Sequence, residues 1–123
     1  MSYLDCYCDY ESPAVERTKI VKARKAHKCY ECRRSIRVGE RYEYTFQVYD
    51  GYPESYHLCE NCRDIRVFVS NNLPCFCWAW GSLLDDAKEA IKEAYYRAGD
   101  EVRGVAFGLG RLIVKAKRAR ASA

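Results

Sequence analysis

Eight cysteines in 123 residues fall into four tight pairs: Cys6-Tyr7-Cys8, Cys29-x-x-Cys32, Cys59-x-x-Cys62 and Cys75-Phe76-Cys77. Thiolates this close in sequence can present both sulfurs to one metal ion, and zinc takes four such ligands in a tetrahedron. One pair supplies half of a shell, so the pairs must combine. Cys29, Cys32, Cys59 and Cys62 are predicted to form one site, and Cys6, Cys8, Cys75 and Cys77 a second, for two zinc ions in all. Four-sulfur closure leaves no open coordination position, which makes both ions structural rather than catalytic. Disulfides or plain buried thiols are the competing reading for the first site, disfavoured in a reducing compartment. A redox Cys-x-x-Cys requires a thioredoxin-like βαβ setting, and the chain around residue 29 reads as a knuckle before a hairpin. For the second site the alternative is cysteines that are unpaired or only partly liganding.

His27 and His57 each stand two residues before a Cys-x-x-Cys pair. They are expected beside the ligands, since four thiolates already complete a shell, although either can substitute for a cysteine. A treble-clef nuclease needs a histidine base on the hairpin with further metal ligands next to it. There is no Asp-His pair and no following Asn/His set, and His57 lies in the wrong part of the hairpin. No enzymatic activity, catalytic residue or small-molecule substrate is therefore expected.

The elements that must position these sulfurs are legible between the pairs. Gly39 supplies a turn, after which Tyr42, Tyr44, Phe46 and Val48 alternate with period two as one face of a strand. Asp50-Gly51 is a hairpin turn signal, with residues 52–58 returning as the partner strand and Pro53 confined to the turn or an edge. Cys59 and Cys62 then open a short helix ending near Asn71-Asn72, where the helix N-terminus favours thiolates. Knuckle, hairpin and helix, in that order with 26 residues between the two pairs, predict a treble-clef finger within a small α+β zinc-stabilised fold. Beyond Pro74, Ser82 and Asp85 suggest a helix cap. Leu84, Ala87, Ile91, Ala94, Tyr95 and Ala98 keep helical spacing up to Gly99. A second helix follows through Val102, Val105, Ala106, Leu109, Leu112, Ile113 and Ala116, weakened by Gly104, Gly108 and Gly110. The expected organisation is a zinc-binding unit over residues 1–80 with both sites, and a helical hairpin with a frayed basic tail over 81–123.

Composition bounds the partners. The formal charge of +4 counts every thiol as neutral. Eight bound thiolates and two zinc ions would bring it near zero, so only local clustering argues for an anionic partner. Residues 17–41 carry ten Lys/Arg against Glu31 and Glu40, and residues 103–120 carry six with no acid. No apolar run reaches about 18 residues, so no membrane span or membrane partner is expected. The N-terminal residues lack a basic segment followed by an apolar run, so no secretory signal is read and a cytoplasmic address is the default.

The stretches CDYESP (8–13), VKARKAHKCYEC (21–32), SIRVGERYEY (35–44) and YDGYPESYHLCENCRDIR (49–66) resemble small, mostly uncharacterised zinc-finger proteins of tailed phages and prophages. The resemblance covers residues 6 to about 80 and implies a treble-clef, cysteine-rich module acting in the host cytoplasm. The knuckle is also similar to fingers of the poly(ADP-ribose) polymerase and LIM types, which bind DNA ends and proteins respectively, so fold alone does not choose the partner. Nucleic acid is the first expected partner, through Lys22, Arg24, Lys25, Lys28, Arg33, Arg34 and Arg37, with Arg118 and Arg120 in the tail. Tyr42, Tyr44, Tyr49, Tyr52 and Tyr56 offer stacking surfaces, Tyr49 and Tyr52 foremost. The alternative is a protein-binding inhibitor of a host polymerase, nuclease or defence complex, anchored by the same Tyr and Arg residues. In either case the tyrosines can instead pack the core and the charges solvate an open face. Gly104-x-x-x-Gly108 is a weak self-association signal, and the sequence does not set an oligomeric state.

Overall fold

A computed structural model describes residues 13–73 and 75–122. The order is β1 (Val15–Lys22), β2 (His27–Lys28), β3 (Ser35–Ile36), β4 (Arg41–Tyr49), β5 (Tyr52–Cys59), α1 (Glu60–Asn72), α2 (Leu83–Ala98), a 3-10 turn (Gly99–Val102) and α3 (Arg103–Ser122). The architecture is a small α+β fold, a three-stranded antiparallel sheet of order β1-β4-β5 with a separate two-stranded β2-β3 ribbon. No helix among the described residues is long and apolar enough to cross a membrane.

The β4–β5 hairpin forms where the alternation and Asp50-Gly51 place it. Both turn residues have positive φ, 49° and 78°, the pairing a two-residue turn needs to match the strand twist. Tyr49 and Tyr52 close the ladder and Tyr42 meets Cys59 at its far end. Strand β1, which charge clustering hid at the sequence level, pairs along the whole of β4 from Val15↔Val48 to Lys22↔Arg41.

The burial of β4 departs from the usual pattern. Tyr42 is buried, but Tyr44, Phe46 and Val48 are only half-buried. The opposite face carries Glu43, Thr45 and Gln47, and these are 3%, 2% and 6% exposed. Polar side chains thus point inward at three alternate positions of the central strand.

Two apolar clusters hold the molecule, joined by α1. One gathers Ile36, Tyr42, Leu58 and Leu83 around Cys29, Cys32, Cys59 and Cys62. The other packs Ile65 and Val69 of α1 against Ala87, Ile91, Val102, Leu109 and Ala116. Gly99 ends α2 at φ 61°, as the sequence predicts. The expected capping arrangement moves by one residue: Asp86, not Asp85, accepts from the Ser82 hydroxyl at 3.0 Å and the Ala79 N–H at 2.9 Å. Helix α3 continues through the basic residues to Ser122 where fraying was expected.

Gly108 explains one of the α3 glycines. A Cβ there would collide with the Phe68 ring of α1, whereas one at Gly110 would meet nothing within 4 Å. Gly108→Ala is expected to cost about 1–2 kcal/mol through overpacking, and Gly110→Ala to gain up to about 1 kcal/mol of helix propensity. Thermal melts should therefore move in opposite directions for the two variants.

Candidate metal centre

The first Cys-x-x-Cys pair sits on the turn between β2 and β3. The Cys29 N–H donates to the Arg34 carbonyl at 2.8 Å, and the Arg33 N–H to the Cys29 carbonyl at 3.0 Å. This tight loop puts Arg33 at φ 66°. The second pair comes from the junction of β5 and α1, where Cys59 is the helix N-cap and Cys62 lies in the first turn. Two bonds join the halves: the Tyr30 N–H donates to the His57 carbonyl at 2.8 Å, and the Cys59 N–H to the Cys29 sulfur at 3.4 Å.

All four sulfurs lie within 4.8 Å of one another and all four residues are buried. Cys32 and Cys59 are 3.6 Å apart. A regular tetrahedron with zinc–sulfur bonds of about 2.3 Å has edges of about 3.8 Å, so the donor set and its spacing fit one metal ion. The electrostatics also fit a cation. Hydrogen bonds from Cys32, then Cys59 and Cys62, pull the Cys29 thiol far below its ordinary pKa. Those same contacts push Cys59 and Cys62 up. A cluster this close cannot hold several thiolates without a positive ion among them.

His27 and His57 stack on each other at 4.3 Å with planes 16° apart. Neither belongs to the ligand-competent group. Burial lowers the His57 pKa, and His27 and Lys25 lower it further.

For the second predicted site the structure corrects the expectation: Cys75 and Cys77 bring their sulfurs to 3.8 Å, but both are disulfide-bonded, and a disulfide sulfur is not the thiolate that zinc takes as a ligand. Cys6 and Cys8 lie outside the described residues.

The predicted contact residues separate into distinct places. Lys22, Arg24, Lys25, Lys28 and Arg37 are exposed around β1, β2 and the knuckle. Arg33 is exposed, with its guanidinium 5.3 Å from the Tyr30 ring centre. Arg34 is committed inside: its side chain is 10% exposed and pairs with Glu40 at 3.0 Å. Glu40, and after it Cys59, raises the Arg34 pKa, while burial opposes them. This arginine balances charge at the cysteine cluster and has little to offer a phosphate. Tyr49 is half-buried, and Tyr52 is 72% exposed at the hairpin tip. Arg118 and Arg120 are exposed near the end of α3, on a different element from the sheet.

Sequence reasoning missed Glu31, which sits between the two cysteines of the knuckle. Its carboxylate accepts from the Gly81 N–H at 2.6 Å and the Leu83 N–H at 2.9 Å, capping α2. Burial raises the Glu31 pKa, against those two donors. No local pattern announces a cap supplied from 50 residues away. Glu31→Ala is expected to cost about 1–2 kcal/mol, as the loss of an N-cap does. Hydrogen exchange should show faster opening of α2 with metal content unchanged. No known protein family, curated protein or solved structure matches the chain.

Proposed function

We propose that the chain is a non-enzymatic, phage-type treble-clef zinc-finger module, with one structural zinc ion at the Cys29/Cys32/Cys59/Cys62 cluster, that binds nucleic acid. One observation carries the binding reading. On the half-buried face of the sheet, Arg17 lies directly opposite Phe46 and Lys19 directly opposite Tyr44. His57 flanks Tyr44 from the other side, with ring centres 5.7 Å apart, and Lys25 is close enough to act on His57 electrostatically. Phosphates meet cations and bases meet π faces on such a surface, the combination that binds single strands without strict sequence preference. The platform is defined by Arg17, Lys19, Tyr44 and Phe46, with Lys25 extending its cationic margin towards the knuckle; Lys22, the register partner of Arg41, falls on the other face of the sheet. Fluorescence anisotropy with a labelled oligonucleotide tests it. Affinity should fall steeply with salt, by about one unit of logarithmic slope per phosphate neutralised. A flat salt response would sink the reading.

Docking on a host protein is a second reading, favoured by the helical hairpin. Tyr95, Tyr96, Phe107 and Val114 are exposed there, among Lys92, Arg111 and Lys115. A stoichiometric protein retained after nuclease treatment would favour that reading over the first.

A further inference from the structure

The sheet face opposite the proposed nucleic-acid platform walls a cavity of about 570 Å³, bordered by Arg66 of α1 and the 78–80 segment. That volume lies within the range of small-ligand sites. Its floor is the buried polar row of β4. Thr45 is satisfied by the Thr18 hydroxyl at 3.1 Å. Glu43 is held by Arg66 at 2.5 Å and Arg63 at 3.4 Å. Gln47 donates its amide to Glu16 at 2.8 Å. Gln47 Oε1, however, is buried without a hydrogen-bond partner among the described residues, although burying a bare acceptor is unfavourable and native folds rarely tolerate it.

The walls narrow the choice of ligand. Tyr56 and Trp80 stack in parallel at 4.3 Å, and Trp78 stands edge-on to Trp80 at 4.8 Å. Two arginines offset the charge of Glu43, whereas among the described residues the Glu16 carboxylate is met by the neutral Gln47 amide and by no cation. An unpartnered acceptor, an unbalanced carboxylate and three aromatic rings together call for a cation that donates N–H groups. A flat cation can stack on indole while donating in its own plane, which a guanidinium does and a compact, strongly hydrated ammonium does not. A phosphate would meet Glu16.

We propose that this cavity binds a guanidinium group, with N–H donors on Gln47 Oε1 and the Glu16 carboxylate and its plane against the tryptophan wall. The group can be carried by a free alkylguanidine or by an arginine side chain of a peptide. This site is separate from the nucleic-acid platform and stands or falls without it.

Both tryptophans of the chain line the cavity, so their fluorescence reads it directly. The zinc-loaded full chain is titrated with agmatine, a Gly-Arg-Gly peptide, tetramethylammonium and guanosine. Saturable quenching by agmatine or the peptide is expected, weakened about tenfold in Glu16→Gln, as loss of a charged hydrogen-bond partner implies. Glu16 is exposed at the sheet edge, and far-UV circular dichroism with metal content checks that the variant folds. Tighter binding of agmatine identifies a free alkylguanidine as the source, and tighter binding of the peptide identifies the arginine side chain. The proposal is overturned by a non-saturable response or an unaffected Glu16→Gln variant. It is equally overturned if tetramethylammonium, or guanosine using the unpartnered Arg66 Nε, binds as well as the guanidines.

Discussion

Cys62→Ser should strip the four-sulfur site of its metal and unfold the sheet–α1 unit. Structural zinc sites contribute about 10–16 kcal/mol of apparent free energy at neutral pH, as large as or larger than the whole stability of a typical domain. Cys62 is completely buried, as are Cys29 and Cys59, so a serine there also leaves a hydroxyl in the sulfur cluster. Native mass spectrometry of the wild type is expected to show a zinc ion at the Cys29/Cys32/Cys59/Cys62 cluster, and Cys62→Ser should lose it. Circular dichroism should report loss of sheet signal and of cooperative melting. A strong chelator should reproduce the effect in the wild type.

Acid should do the same, and its sign can be worked out. Zinc binds thiolates, while in the metal-free cluster hydrogen bonds and burial keep Cys59 and Cys62 protonated well above the ordinary thiol range. Loading the site therefore releases protons, and lowering the pH drives the reverse reaction. Zinc retention should fall towards acid pH and recover on return to neutral pH. A site that kept its metal at low pH and lost it at high pH would contradict this account.

The second large effect concerns the platform. Replacing Tyr44 and Phe46 together by alanine removes two stacking surfaces, each worth about 1–3 kcal/mol per base. Oligonucleotide affinity should drop by about a hundredfold or more. Replacing Arg17 and Lys19 by glutamine should lower affinity more evenly across sequences and reduce the logarithmic salt slope by about two. Tyr52→Ala is the control. That ring is highly exposed, but its register partner is Tyr49, which puts it on the opposite face, so binding should be unchanged.

The control also shows where the sequence was legible. The two Cys-x-x-Cys pairs, the Asp50-Gly51 turn, α1 and the α2 stop at Gly99 each rest on a local signal, and each lies where that signal puts it. The basic segment was read as a run of charge, and the same residues are the strand β1, whose alternation of Val15, Arg17, Lys19 and Val21 was masked by composition. Arg34 could not be told from its exposed neighbour Arg33, because the ion pair with Glu40 depends on how the knuckle closes. The burial of Glu43, Thr45 and Gln47 was equally out of reach. Alternation reveals two faces but not which one the helix covers, and polarity argued for the wrong one. That choice depends on the arginines of α1 and the tryptophans at 78 and 80, which are distant in sequence.

The inverted strand has a consequence for how this protein fails. A hairpin with aromatic side chains turned half to solvent and polar ones turned inward works against ordinary hydrophobic preference, and a slip of one residue would exchange the two faces. It is clamped at both ends, by the Asp50-Gly51 turn and by Cys59 in the four-cysteine cluster. Loss of a metal ion from that cluster would release one clamp and remove the resistance to that exchange. The stripped chain then carries loose, aromatic-rich β segments that can pair with those of another copy. Aggregation, more than a soluble unfolded chain, should therefore be the usual fate of the metal-free protein, and handling it without zinc should carry a penalty that grows with concentration.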